Sequence, residues 1–159
     1  MLKIGILKSK YLIIYAFFAI AIVLATGTFL LNKRSLIKQK QTEQWRAEVK
    51  KETEGKDLAE LMAEGKKLFE QNNAKKAAVF FEKAAGLDKN YRDSWVMAGY
   101  ANLASQNPKQ ARIYLRRAVN LDPAFGLTHE LLARLYDQLN YPDLAEQERA
   151  KAQDLGLRP

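Results

Sequence analysis

Small residues recur in this sequence at an interval of 34, and no other feature narrows the fold as far. Ala77, Ala111 and Ala145 mark the interval, and seven residues after each stand Ala84, Ala118 and Ala152. Seven residues are about two helical turns, so each pair lies on one face, where a second helix can approach closely. Gly65, Gly99 and Ala133 repeat at the same interval upstream. Each interval therefore reads as two antiparallel helices crossing at small residues. Phe81 and Leu115 in the second helices, and Leu68 and Tyr136 in the first, fill the space between. Such a unit buries its apolar face only by stacking on its neighbours.

Capping residues fall where this register requires them. Asp57 and Glu60 form a D-x-x-E pair at the start of the first helix, and Asn73 is placed to cap the second. Asn107-Pro108 supplies an N-cap followed by proline in the first helical position, and Tyr141-Pro142 keeps that proline. Asp122-Pro123 ends the second helix of the middle unit.

The pattern resembles the tetratricopeptide repeat family, as three abutting units over residues 58–91, 92–125 and 126–159. The middle unit carries Trp95, Gly99, Ala111, Leu115, Ala118 and Pro123 on the family's signature positions, with Asn102 where the family prefers Tyr. The first unit keeps Gly65, Ala77, Phe81 and Ala84 but has Lys89 in place of proline. The third keeps Leu132, Ala133, Tyr136, Ala145 and Ala152, with Leu157 in place of proline. Arg149 replaces an aromatic there, which suits a terminal helix whose outer face meets water.

From Tyr11 to Leu31 the chain runs without a charge, bounded by Lys8 and Lys10 on one side and by Lys33 and Arg34 on the other. As a helix this run rises about 32 Å, close to the hydrocarbon thickness of a bilayer. A domain this small cannot surround a helix apolar on every face, so a retained single-pass anchor is the expectation. The alternative is a cleaved signal peptide, for which Ala25-Thr26-Gly27 supplies small residues. Residues 32–57 are rich in helix formers and basic, and are expected to continue as a helix to about Gly55. Their cations suit anionic head groups. Trp45 and Val49 share one face and can dock on the domain or on a partner helix. The expected fold class is all-α: residues 1–10 a tail, 11–31 a transmembrane helix, 32–57 a linker and 58–159 a three-repeat α-solenoid.

Charge is uneven along this organisation. The formal net charge is +8, but residues 1–57 hold 11 Lys/Arg against 5 Asp/Glu, and residues 58–159 hold 15 against 13. A nucleic-acid-binding domain concentrates its excess on the folded part, so no nucleic acid is expected as partner. The Lys and Arg after the apolar run lean towards a repeat domain on the cytoplasmic side of a bacterial cytoplasmic membrane.

Several chemistries are excluded or disfavoured. There is no cysteine, which removes disulfides, thiolate metal sites and a cysteine nucleophile. With His129 as the one histidine, neither a histidine-pair metal site nor a Ser-His relay is expected. By the family resemblance His129 takes the place of a usual Trp, and it reads as a packed residue rather than a ligand. No Gly-rich phosphate loop or G-x-S-x-G elbow occurs. No catalytic residue, cofactor, metal or small-molecule substrate is expected, and the chain reads as a non-enzyme.

The resemblance implies that the first helix of each pair lines a concave groove. That groove would show Met62, Lys66 and Phe69 from the first unit, Val96, Tyr100 and Leu103 from the second, and Glu130, Arg134 and Asp137 from the third. Spacings of three or four residues place each set on one helix face. The result is an apolar strip centred on Tyr100, with charges of both signs at one end, suited to an apolar or amphipathic peptide. Packing between units is the competing role, for Leu103 above all. One family subtype clamps a carboxylate in this groove; Met62, Met97, Leu127 and Leu131 lack its donors, leaving only Lys66. A second, basic surface combines Lys109, Arg112, Arg116 and Arg117. It could meet phosphates of lipid or nucleic acid, or be an ordinary solvated face.

The function these residues suggest is a membrane-anchored adaptor that binds protein partners through its groove to assemble or tether a complex. The alternatives are a permanent structural subunit of a larger membrane complex and a receptor for targeting peptides.

Overall fold

The computed structural model describes residues 2–157, with residues 2–19 and Ile22 described by their helical backbone alone. Every element among the described residues is an α-helix: α1 (Leu2–Thr53), α2 (Leu58–Glu70), α3 (Ala74–Leu87), α4 (Arg92–Ala104), α5 (Pro108–Leu121), α6 (Gly126–Gln138) and α7 (Pro142–Asp154). The chain divides into two compact units, Met1–Glu48 and Val49–Pro159.

The first unit is the greater part of α1. Among the described residues no helix is long and apolar enough to cross a membrane. The expected span at 11–31 includes residues 11–19 and Ile22, which lie outside the described side chains. Of the remainder, Val23, Leu24, Phe29 and Leu31 are all more than 60% exposed. Their surroundings within this unit bury none of them.

The second unit starts with the last turn of α1, where Val49 is 1% exposed and Thr53 is also buried. Gly55 follows at φ +75, a conformation glycine adopts without steric cost. Helices α2 to α7 form three successive pairs. Within a pair, a small residue on the first helix receives a bulky side chain from the second. A Cβ on Gly65 would stand 2.6 Å from the Phe81 ring, and one on Gly99 would stand 2.6 Å from Leu115 Cγ. Phe81 and Leu115 are wholly buried, as are Ala77, Ala84, Ala111 and Ala118. The 34-residue interval is thus the spacing of helix crossings.

The turns inside each pair repeat with the same interval. Asn72, Gln106 and Asn140 have φ of 62, 59 and 60, in the left-handed region. The next amide donates back to the helix, from Asn73 to Leu68, Asn107 to Asn102 and Tyr141 to Tyr136. These are αL-terminated helix ends, which satisfy carbonyls that would otherwise be orphaned.

Caps follow the sequence pattern with one correction. Asp57 Oδ1 accepts from the Glu60 amide at 2.8 Å while Glu60 Oε2 accepts from the Asp57 amide at 3.0 Å. Asn73 Oδ1 accepts from the Lys76 amide at 3.3 Å. Asn107 makes no side-chain cap; its Nδ2 donates instead to Asn102 Oδ1 at 3.1 Å. Asn102 is buried and its Nδ2 donates to Glu82 Oε1 and to the Ala98 carbonyl. Satisfying a buried amide outweighs an exposed cap, because an unpaired buried polar group costs more than a cap contributes.

Candidate protein-binding groove

Helices α2, α4 and α6 carry the nine groove residues, and the structure sorts them into three kinds. Met62, Val96 and Leu103 are 7%, 3% and 4% exposed. Val96 and Leu103 belong to the core cluster with Leu115, Leu131 and Leu135. This corrects the expectation of a continuous exposed strip. The first helices approach one another closely enough to bury part of the strip between repeats, and helical spacing alone does not distinguish a groove-lining position from one facing the next unit.

Phe69 and Tyr100 are half-buried and in contact, with ring centroids 4.7 Å apart and planes tilted by 43°. They join α2 to α4 by a tilted ring contact while remaining partly exposed. A cavity of about 180 Å³ opens on the same two helices, bounded by Met62, Lys66, Val96 and Met97. Phe125 and Leu127 close it from the start of α6, with Arg92 and Asp93 at its side. Its lining is mainly apolar. The sequence reading placed Met97 and Leu127 in the groove only as positions lacking carboxylate donors, and it missed Phe125, Arg92 and Asp93 as parts of this cavity. Phe125 and Arg92 lie at the ends of helices, where a periodicity argument has least to say.

Charge around the cavity is mostly spent internally. Arg92 bonds Asp93 at 2.6 Å and Asp122 at 2.5 Å, and its guanidinium sits 3.7 Å over the Phe125 ring. Its pKa is raised, chiefly by the hydrogen bond to Asp93, with Asp122 adding to it against the effect of burial. Lys66 is exposed and forms no ion pair among the described residues. Glu130 accepts from Arg134 Nε at 2.9 Å, and Asp137 accepts from Arg149 at 2.8 Å. The charged end of the groove is therefore a set of neutral pairs, worth little individually at the surface.

The basic residues of α5 divide. Lys109, Arg112 and Arg116 are exposed. Arg117 lies 5.9 Å over the Trp95 ring and donates to the Lys89 carbonyl at 3.5 Å. His129 is buried, with Nδ1 2.6 Å from Glu148 Oε2 and Nε2 3.0 Å from the Pro123 carbonyl. Its partner lies on α7, 19 residues away, which no local spacing announces. No group of acidic and histidine side chains with metal-site geometry occurs among the described residues.

Residues 93–125 match the tetratricopeptide repeat family, a stretch covering nearly all of α4 and α5 and the turn between them. The chain is also similar to a type IV pilus assembly protein, PilF, of Pseudomonas aeruginosa, at 34% identity over 61 residues. That stretch is 38% of this chain and 24% of the relative, so the chain spans about a quarter of that relative's length. A tetratricopeptide repeat is a scaffold for protein–protein interaction, and the helix-pair architecture around residues 93–125 is of that kind.

Proposed function

We propose that the protein is a non-catalytic, membrane-tethered adaptor that holds an apolar or amphipathic segment of a protein partner in the α2–α4 groove. The observation that carries this reading is the half-exposed Phe69–Tyr100 pair on the two helices that form the Met62–Met97 cavity. An aromatic anchor site beside a concave apolar pocket is what peptide recognition by a helical groove requires. Similarity to a protein of pilus assembly is in keeping with a role in assembling a complex. The tether is the uncharged run 11–31, and the basic residues that follow it favour the cytoplasmic face of a bacterial membrane.

Tyr100→Ala tests the groove. Truncating a central aromatic anchor costs about 2 kcal/mol of binding, roughly thirtyfold in affinity. Partners co-purified in mild detergent should fall accordingly while the circular dichroism spectrum is unchanged. Unaltered capture by a folded Tyr100→Ala variant rejects the groove. Deleting residues 1–31 tests the tether: the remainder should leave the membrane pellet, and retention there rejects it. Protease protection of the repeat domain in spheroplasts decides the side of the membrane.

A permanent structural subunit is the second reading. Tyr141, Leu144 and Leu155 at the last helix are 53%, 41% and 41% exposed, an apolar end on which another protein can stack. Stoichiometric partners that survive extensive washing favour this version.

A further inference from the structure

The outer face of α5 is cationic. The helix holds four Lys/Arg and no Asp or Glu. Lys109, Arg112, Ile113 and Arg116 are all exposed, and their spacing of seven residues end to end puts them on one face. Among the described residues no ion pair holds Lys109, Arg112 or Arg116, whereas Arg92, Arg134, Arg149 and Lys151 each have a carboxylate partner. Amid these free cations Ile113 is 58% exposed. At the Arg116 end the face runs into a crevice of about 440 Å³ between α5 and α6. Buried Leu132 and half-buried Val119 and Tyr136 line it, and the Lys151–Glu148 ion pair of α7 stands at its edge.

We infer that this face docks on an anionic lipid bilayer, with Lys109, Arg112 and Arg116 on head-group phosphates and Ile113 entering the interface. Cations around one aliphatic side chain are the chemistry of an interfacial contact, in which charge attracts and apolar area anchors. Nucleic acid offers the same phosphates, but its single strands need exposed aromatic platforms. The nearest indole, Trp95, has Arg117 over its ring. An acidic protein surface would complement the cations but leaves the exposed Ile113 unexplained. The inference does not rest on the groove, none of whose residues take part.

Because the chain has no cysteine, Ile113→Cys creates a unique thiol for an environment-sensitive fluorophore on the full-length protein. The labelled protein is mixed with vesicles of phosphatidylcholine alone and of phosphatidylcholine with phosphatidylglycerol. A label at Leu127→Cys, in the other cavity, is the reference. The expected result is a blue shift and protection from an aqueous quencher at residue 113, with phosphatidylglycerol only, and none at residue 127. Arg116→Glu in the labelled protein should weaken that protection about tenfold in lipid concentration, and molar salt should remove it. Equal quenching at residue 113 with both vesicles overturns the inference. So does protection by a soluble oligonucleotide or by polyglutamate that matches the anionic vesicles, which would assign the face to nucleic acid or to an acidic protein.

Discussion

His129 bridges two acceptors: the carboxylate of Glu148 at 2.6 Å from Nδ1 and the carbonyl of Pro123 at 3.0 Å from Nε2. A carbonyl oxygen only accepts, so Nε2 carries a proton. The Glu148 carboxylate faces Nδ1, so both ring nitrogens meet an oxygen from outside α6. Lys151 Nζ donates to the other oxygen of Glu148 at 2.8 Å. The cluster ties the start of α6 to α7 and to the turn after α5.

The cluster makes stability depend on pH through Glu148. Burial pushes its pKa up, but hydrogen bonds and charge from His129 and Lys151 outweigh burial and hold it below the ordinary 4.5. A depressed carboxylate contributes stability that is complete above its unfolded value and is lost as pH falls through its folded value. Glu148→Gln should therefore destabilise the domain at neutral pH by about 1–3 kcal/mol, since it removes the charged acceptor that His129 and Lys151 share. The gap between variant and wild-type urea midpoints should close as pH falls below 4.5. A gap that persists unchanged in acid would mean the carboxylate charge is not what stabilises.

At the alkaline end the relevant group is Tyr114. Burial pushes its phenol from 10.0 up to about 12, and the charge and hydrogen bond of Glu82 add to this. A raised pKa contributes stability that is complete below the unfolded value and is lost as pH rises through the folded one. Between pH 10 and about 12 the urea midpoint should fall for wild type. The fall should be shallower for Tyr114→Phe, and ultraviolet difference absorbance should show one late-titrating tyrosine that the variant lacks.

Two glycine substitutions probe the helix crossings with opposite signs. Gly99→Ala places a methyl group 2.6 Å from the side chain of fully buried Leu115, which has no room to turn away. Overpacking of this kind costs about 1–3 kcal/mol. Gly86→Ala, also within a helix, meets nothing within 4 Å. It should stabilise by about 0.5–1 kcal/mol, because alanine loses less backbone freedom on folding. Denaturant midpoints of the two variants should move apart, and a Gly99→Ala midpoint at or above wild type would displace the proposed register.

Much of the fold was legible in the sequence, since a 34-residue interval of small residues fixes where helices cross. Gly65 against Phe81 and Gly99 against Leu115 follow from the register alone. The capping box at Asp57 and Glu60 was equally legible, because its partners are three residues apart. The left-handed turn residues were not read, although Asn72, Gln106 and Asn140 repeat at the same interval. Gln106 carries no turn signal of its own; the helix end on either side imposes its conformation.

The site was only partly legible. Phe69 and Tyr100 stand on different helices, and the repeat register with helical spacing was enough to place them on a common surface. Met62, Val96 and Leu103 have the same spacing yet are buried, since which edge of a helix faces its neighbour depends on how far successive pairs rotate. That rotation is a property of packing across repeats. The sequence by itself determined the helices, their pairing and their crossing points, because those depend on periodicity and on contacts within one repeat. Tertiary structure decided which apolar residues stay exposed, which cations stay unpaired, and that His129 meets Glu148. Each of these rests on residues from different repeats or helices, brought together only when the pairs stack.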